Sequence, residues 1–352
     1  MRLIDTETGE FVEFFDLSKI PPYAILSHTW EPPPIREQSY QDVVTIQKEC
    51  GLGSNHLRSA LPRSLEERRP PSSIFLGLLP LFYAYIYSVI QVFISLRLST
   101  IWDLDSGLSE KIQRACEIAR CDGYRYIWID SCCIDKTSSS KLSEAINSMF
   151  NWYRGAQICY AFLVDVPSDE DVRAKGSTFR ISRWFRRGWT LQELVAPRVV
   201  VFLSRDWDGL GTKDALADVI GEITHITCEI LTHEKALSDE SVAECMRWAA
   251  GRTTTREEDQ AYSLLGIFGI TMPTIYGEGR YAFQRLQEEI LQRIPDQSLL
   301  AWGSKCLTLQ QLQETRQIRV GFTHSRTPFA PSPDSFRTSE SPRGRAVRTA
   351  GY

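Results

Sequence analysis

Tyr126-Ile127-Trp128-Ile129-Asp130 sets four aromatic or aliphatic side chains in a row and closes them with an acid. A short run without alternation is the pattern of a strand buried on both faces. Upstream, Ile112, Ala115, Cys116 and Ala119 recur at i, i+3, i+4 and i+7. That spacing predicts an amphipathic helix, stopping at Asp122-Gly123. Downstream, Leu142, Ala145, Ile146, Met149 and Phe150 make a second helical face, and Ile158–Val164 a further buried strand. Trp189–Val195 reads as a short helix broken at Pro197, and Val199–Leu203 as the next strand. Far upstream, Tyr23–Ser27 is a strand bracketed by Pro21-Pro22 and Pro32-Pro33-Pro34. Buried strands alternating with helices predict an α/β fold, a parallel sheet flanked by helices. Beyond about residue 212 the chain shows only helical faces: Val242, Cys245, Met246 and Ala249, then Phe283, Leu286 and Ile290.

Composition narrows the function classes. With 352 residues and a formal net charge of -4, the chain lacks the basic excess that nucleic-acid binders carry. Its nine cysteines form no CxxC pair, so neither a zinc ribbon nor a disulfide framework is expected. Reduced, mostly buried thiols in a cytoplasmic protein are the expectation. Asp5, Glu7 and Glu10 stand where a secretory signal would need basic and then apolar residues. No GxGxxG or GxxxxGK[ST] occurs, so no dinucleotide fingerprint or P-loop is expected.

Residues 74–96 are uncharged and long enough to cross a bilayer. A crossing there would put the Tyr23–Ser27 strand and its sheet neighbours on opposite sides of the membrane, which argues against it. An apolar helix or hairpin lying on the domain, sequence from an imperfect gene model and a membrane anchor are the three readings of this stretch.

Four blocks resemble the heterokaryon-incompatibility (HET) domains of filamentous fungi: Pro22–Trp30, Tyr126–Asp135, Ser143–Tyr153 and Trp184–Leu194. Arg256–Gly266 and Tyr276–Gly279 look like the segment that commonly comes after these blocks. The resemblance covers about residues 1–44 and 108–303. It divides the chain into the start of the domain (1–44), an atypical insertion holding the apolar run (45–108), the remainder of the domain (109–211), a helical extension (212–303) and a tail expected to be disordered (304–352). The resemblance implies a cytoplasmic module of self/non-self recognition and programmed cell death, self-associating and answering to an incompatibility partner.

HET domains are in turn similar to Toll/interleukin-receptor (TIR) domains, which have a flavodoxin-like fold. In plant-type TIR domains a Trp-Cys-x-x-Glu-Leu block carries the glutamate that cleaves NAD. Trp189-Thr190-Leu191-Gln192-Glu193-Leu194 stands at the corresponding place, with Thr190 for the Cys. The resemblance therefore implies Glu193 as the catalytic carboxylate, and NAD as substrate rather than cofactor. A carboxylate beside the ribose would stabilise the oxocarbenium-like charge of the transition state. Ser27, His28 and Trp30, then Asp130 and Asp135, come after two predicted strands at the edge where open α/β sheets bind ligands. His28 would meet phosphate or ribose, Trp30 a base, and the aspartates ribose hydroxyls. Arg187 would meet the pyrophosphate, with Arg183, Arg186 and Trp189 close by. The bland expectations are a surface position for Glu193 and Gln192, turn-making aspartates, and a scaffold that only self-associates.

Overall fold

Tyr23–His28 (β3) is buried at all six positions, including the polar Ser27 and His28 at its end. The computed structural model describes residues 1–30, 36–60, 101–302 and 329–337, with side chains left out over 51–60. The apolar run 74–96 lies outside these residues; among them, no helix is long and apolar enough to cross a membrane.

Seven strands form one sheet in the order β2-β1-β4-β3-β5-β6-β7. Besides β3 these are β1 (Arg2–Asp5), β2 (Phe11–Glu13), β4 (Tyr126–Ile129), β5 (Ile158–Phe162), β6 (Val200–Leu203) and β7 (Gly209–Thr212). The four strands expected from sequence, β3 to β6, pair in parallel. The sheet is mixed rather than wholly parallel: β1 joins β4 antiparallel and carries β2, while β7 joins β6 antiparallel. The hairpin β1–β2 has no counterpart in the expected elements. Its strands are four and three residues long, too short to show a period.

The helices among the described residues of this half are α1 (Tyr40–Ala60), α2 (Glu110–Cys121), the single turn α3 (Asp130–Cys133), α4 (Ser139–Gly155), α5 (Thr178–Ile181) and α6 (Thr190–Val195), of which α2, α4 and α6 were expected. Ser109 and Ser138 cap α2 and α4 by accepting from backbone N–H groups in their first turns. On α2 the buried set is Ile112, Ala115, Cys116 and Ala119, the predicted face.

Two features of the register build the site. The last β3–β4 pair is Leu26 with Ile129, whereas β3 runs on beside β5 through Ser27–Ala161 and His28–Phe162. The chain leaving β4 turns off into α3 at Asp130, so Ser27 and His28 outrun β4. The links from β3 and from β5 also lead to opposite sides, β3 to β4 and β5 to β6. Such a reversal leaves a crevice at the carboxyl ends of the strands.

The C-terminal half holds α7 (Ala217–Thr224), α8 (Cys228–Leu231), α9 (Val242–Ala249), α10 (Asp259–Tyr262) and α11 (Tyr281–Arg293). Gly266 lies so close to α4 that an added Cβ would stand 2.0 Å from the Cβ of Phe150. The Asn147 side chain makes two hydrogen bonds to the backbone of Met272, at 3.0 and 3.1 Å. Residues 329–337, within the expected tail, pack back on this half: Phe336 is fully buried, and Ala330 exchanges two backbone bonds with the Gln287 amide.

Candidate functional site

Glu193 sits on α6, every residue of which is buried. The expectations of a solvent-facing Glu193 and a surface Gln192 are both overturned: they are 7% and 1% exposed. Six residues cannot show a helical period, and here β3, α4 and the C-terminal half pack against the helix.

The Glu193 carboxyl points at the end of β3. Ser27 Oγ donates to its Oε2 at 2.5 Å and accepts from the Trp184 indole at 2.8 Å. Tyr153 also bonds the carboxyl, and its hydroxyl lies 3.1 Å from the Leu26 carbonyl. Burial pushes the Glu193 pKa up to about 8, against the pull of Ser27 and with the help of the Asp130 charge. At neutral pH this carboxyl holds its proton.

Several contacts fix α6. Thr190, which stands where the TIR pattern has Cys, bonds the Trp184 and Arg187 carbonyls through its hydroxyl. Arg252 from the C-terminal half donates to Thr190 Oγ1 and to the Arg187 carbonyl, at 3.1 and 3.0 Å. Gly188 and Arg186 exchange backbone bonds with Thr253, and a Cβ on Gly188 would stand 2.5 Å from the Thr254 methyl. At the other end, Lys213, 0% exposed, donates to the Leu194 and Pro197 carbonyls at 3.3 and 2.6 Å. Burial lowers its pKa to about 8. The Trp189 side chain bonds Asp259.

Beside Ser27 lies a second polar group. His28 is 4% exposed, and neither ring nitrogen has a hydrogen-bond partner. Its Nε2 stands 3.7 Å from Asp130 Oδ1 and 3.9 Å from Glu37 Oε2. Burial lowers the His28 pKa to about 4, so the ring is uncharged at neutral pH. Asp130 Oδ1 is likewise buried and unbonded, while its Oδ2 accepts from the Trp30 indole at 3.0 Å. Burial works against the Asp130 anion, but the charges of His28 (when protonated), Lys136 and Arg187 outweigh it and hold the pKa below the usual range. Trp30, 37% exposed, has the Lys136 ammonium 3.7 Å and the Arg187 guanidinium 5.7 Å from its ring centre.

The fold thus brings Ser27, His28, Trp30, Asp130, Arg187 and Glu193 to one edge of the sheet. Asp135 is not among them. It accepts from Gln41 and from Thr137 in a local turn, and it lines a cavity of about 210 Å³ with Arg2, Trp128 and Trp152. Among the described residues, no group of three His, Cys, Asp or Glu could hold a metal ion.

Residues 94–180 match the family described as Heterokaryon incompatibility protein (HET). The chain carries a HET domain. The vegetative incompatibility protein HET-E-1 of Podospora anserina is 39% identical over 298 residues, 82% of this chain. The chain spans 18% of that relative's length. Residues 281–350 match a second family, a domain of unknown function (DUF8212). No solved structure matches the chain significantly.

Sequence reasoning did not single out Tyr153, Trp184, Lys136, Arg252 or Lys213. The first three stand within or beside the HET blocks, so the signal was present without a role attached. Arg252 and Lys213 reach the Glu193 segment over long sequence separations, and nothing local marks them.

Proposed function

We propose that this HET domain acts in vegetative incompatibility, the role named for its relative, as a cytoplasmic, self-associating domain that triggers cell death by cleaving NAD. The parallel strands β4-β3-β5-β6, numbered among themselves, run 2-1-3-4, the start of the flavodoxin order, which supports a flavodoxin/TIR-like core. The observation that carries the catalytic reading is Glu193: a carboxyl buried at the ligand-binding edge, with its pKa displaced to about 8. A group kept there against its own solvation marks a functional site. Asp130, a few side chains away, is driven the opposite way. Two carboxyls with divergent pKa values are a recurrent pattern in glycosidic chemistry.

In this reading the ribose of NAD displaces the Ser27 hydroxyl from Glu193. The opened carboxyl gives up its proton to solvent, and the carboxylate then faces the anomeric carbon, where it stabilises the positive charge that develops as nicotinamide leaves and water takes its place. In the closed arrangement Ser27 and Tyr153 occupy the carboxyl, so assembly of several copies is the step that opens it. That occupancy is also the observation favouring a second reading, a non-enzymatic domain that recruits a death effector.

Expression of the chain and its Glu193→Gln variant in a filamentous fungus separates the two. Lost killing with self-association intact supports the enzyme. Undiminished killing by the variant leaves the recruiting domain.

A further inference from the structure

A cavity of about 210 Å³ lies between the β1–β2 hairpin and α4, and none of the Glu193 cluster lines it. Trp128, Trp152, Ile134 and Ala145 give it an apolar, largely aromatic wall. At its border Arg2 pairs with Glu13 and Lys141 with Glu144, so a small ion would find no net attraction from them. Phe15 stands at the same border and is 87% exposed, more than any other large apolar side chain among the described residues. It is held in place from both sides. Phe14 and Met1 exchange backbone bonds before it, and after it the Asp16 carboxylate accepts from the Ser18 N–H and hydroxyl. An apolar cavity of about 150 Å³ takes up benzene, so this one has room for a phenyl ring. A ring fixed in the open beside an aromatic cavity that it leaves unfilled is a knob next to a hole. The strand leading to it, β2, is also the outer strand of the sheet. Since Met1 and Phe14 form a bonded pair across the hairpin, the alternation turns the Glu13 N–H and C=O outward, where no described residue bonds them.

We propose that two copies of the chain pair through this face, each inserting Phe15 into the other's cavity across a two-fold axis. Knob and hole belong to one small patch, and a two-fold interface requires a patch that is complementary to itself. The balanced ion pairs at the border let the patch meet a second copy without like-charge repulsion. The open edge of β2 fits the same occupant. Antiparallel pairing of β2 with its counterpart, centred on Phe14, sets Phe15 of one copy opposite Glu13 of the other, at that copy's cavity. It also keeps the two Glu13 side chains from facing each other. Cys133 ends the single turn α3 that begins at Asp130 and lines the cavity, so the interface lies one helical turn from the Glu193 edge. The inference rests on the self-association proposed above and names its surface; it is independent of NAD cleavage.

The oligomeric state of the purified full chain, followed by analytical ultracentrifugation over a range of concentrations, tests this. A dimer is expected. Phe15→Ala is expected to weaken it at least about 100-fold, about tenfold for each of the two rings no longer buried. Ser148→Trp, which fills the cavity from α4, is expected to weaken it similarly. An equimolar mixture of the two variants tests the reciprocal exchange. The mixed pair keeps one ring and one open cavity, so it should associate about tenfold more tightly than either variant alone. If Phe15→Ala pairs as well as the wild type, or if the mixture gains nothing, this interface falls while self-association stands. A wild type that stays monomeric at the highest concentration reached overturns both, leaving the cavity to a segment of the same chain or to a different partner.

Discussion

Ser27 and His28 end a strand whose first four side chains are core, and each meets burial in a different way. Ser27 is satisfied twice, by the Trp184 indole and by Glu193. His28 is not satisfied and stays uncharged. Glu193 has the largest consequence for stability. Its ordinary pKa is 4.5 and its folded value is about 8. Between these values the folded chain holds a proton that the unfolded chain releases, so stability falls as pH rises through that window and levels off above it. Glu193→Gln keeps the shape and removes the titration. Its melting temperature should gain on the wild type steadily from pH 5 to pH 8, by an amount worth several kcal/mol at the upper end. Parallel melting curves across that range would show that the carboxyl is not buried in this way.

At the scale of elements, α6 is held by its neighbours more than by its own hydrogen bonds. Six residues are too few for a helix to persist alone. Thr190, Arg252, the Thr253 backbone and Lys213 supply what length does not. Docking of the C-terminal half matters for the same reason, and Gly266 is its tightest point. Gly266→Ala would drive a methyl into Phe150 on α4, and about 1–3 kcal/mol of destabilisation is expected from such overpacking. Denaturant unfolding of the variant checks this; an unchanged midpoint would mean that the half shifts freely. The same scale explains which elements were legible in the sequence. The four parallel strands and the helices α2, α4, α9 and α11 were readable because each is long or apolar enough to show its period. β1, β2 and β7 were not, being only three or four residues long and carrying charged or glycine residues. The Glu193 block was legible as a motif, but its burial depends on Arg252, Thr253 and Lys213, which touch it only after folding.

For the whole molecule, the strand order gathers residues from β3, from the end of β4 and from the link between β5 and β6 to one edge of the sheet. No single block contains that edge; the order of the strands assembles it. The C-terminal half then closes over α6, so both halves of the chain contribute to one site. The central claim, that this site cleaves NAD through Glu193, is tested most directly by measuring NAD consumption and nicotinamide release. The purified full chain, at concentrations high enough to self-associate, is compared with its Glu193→Gln variant. Turnover by the wild type is predicted, with a loss of at least about 100-fold in the variant, the scale of removing a main electrostatic stabiliser. Equal rates in the two proteins, or a folded, assembled wild type that leaves NAD untouched, would contradict it.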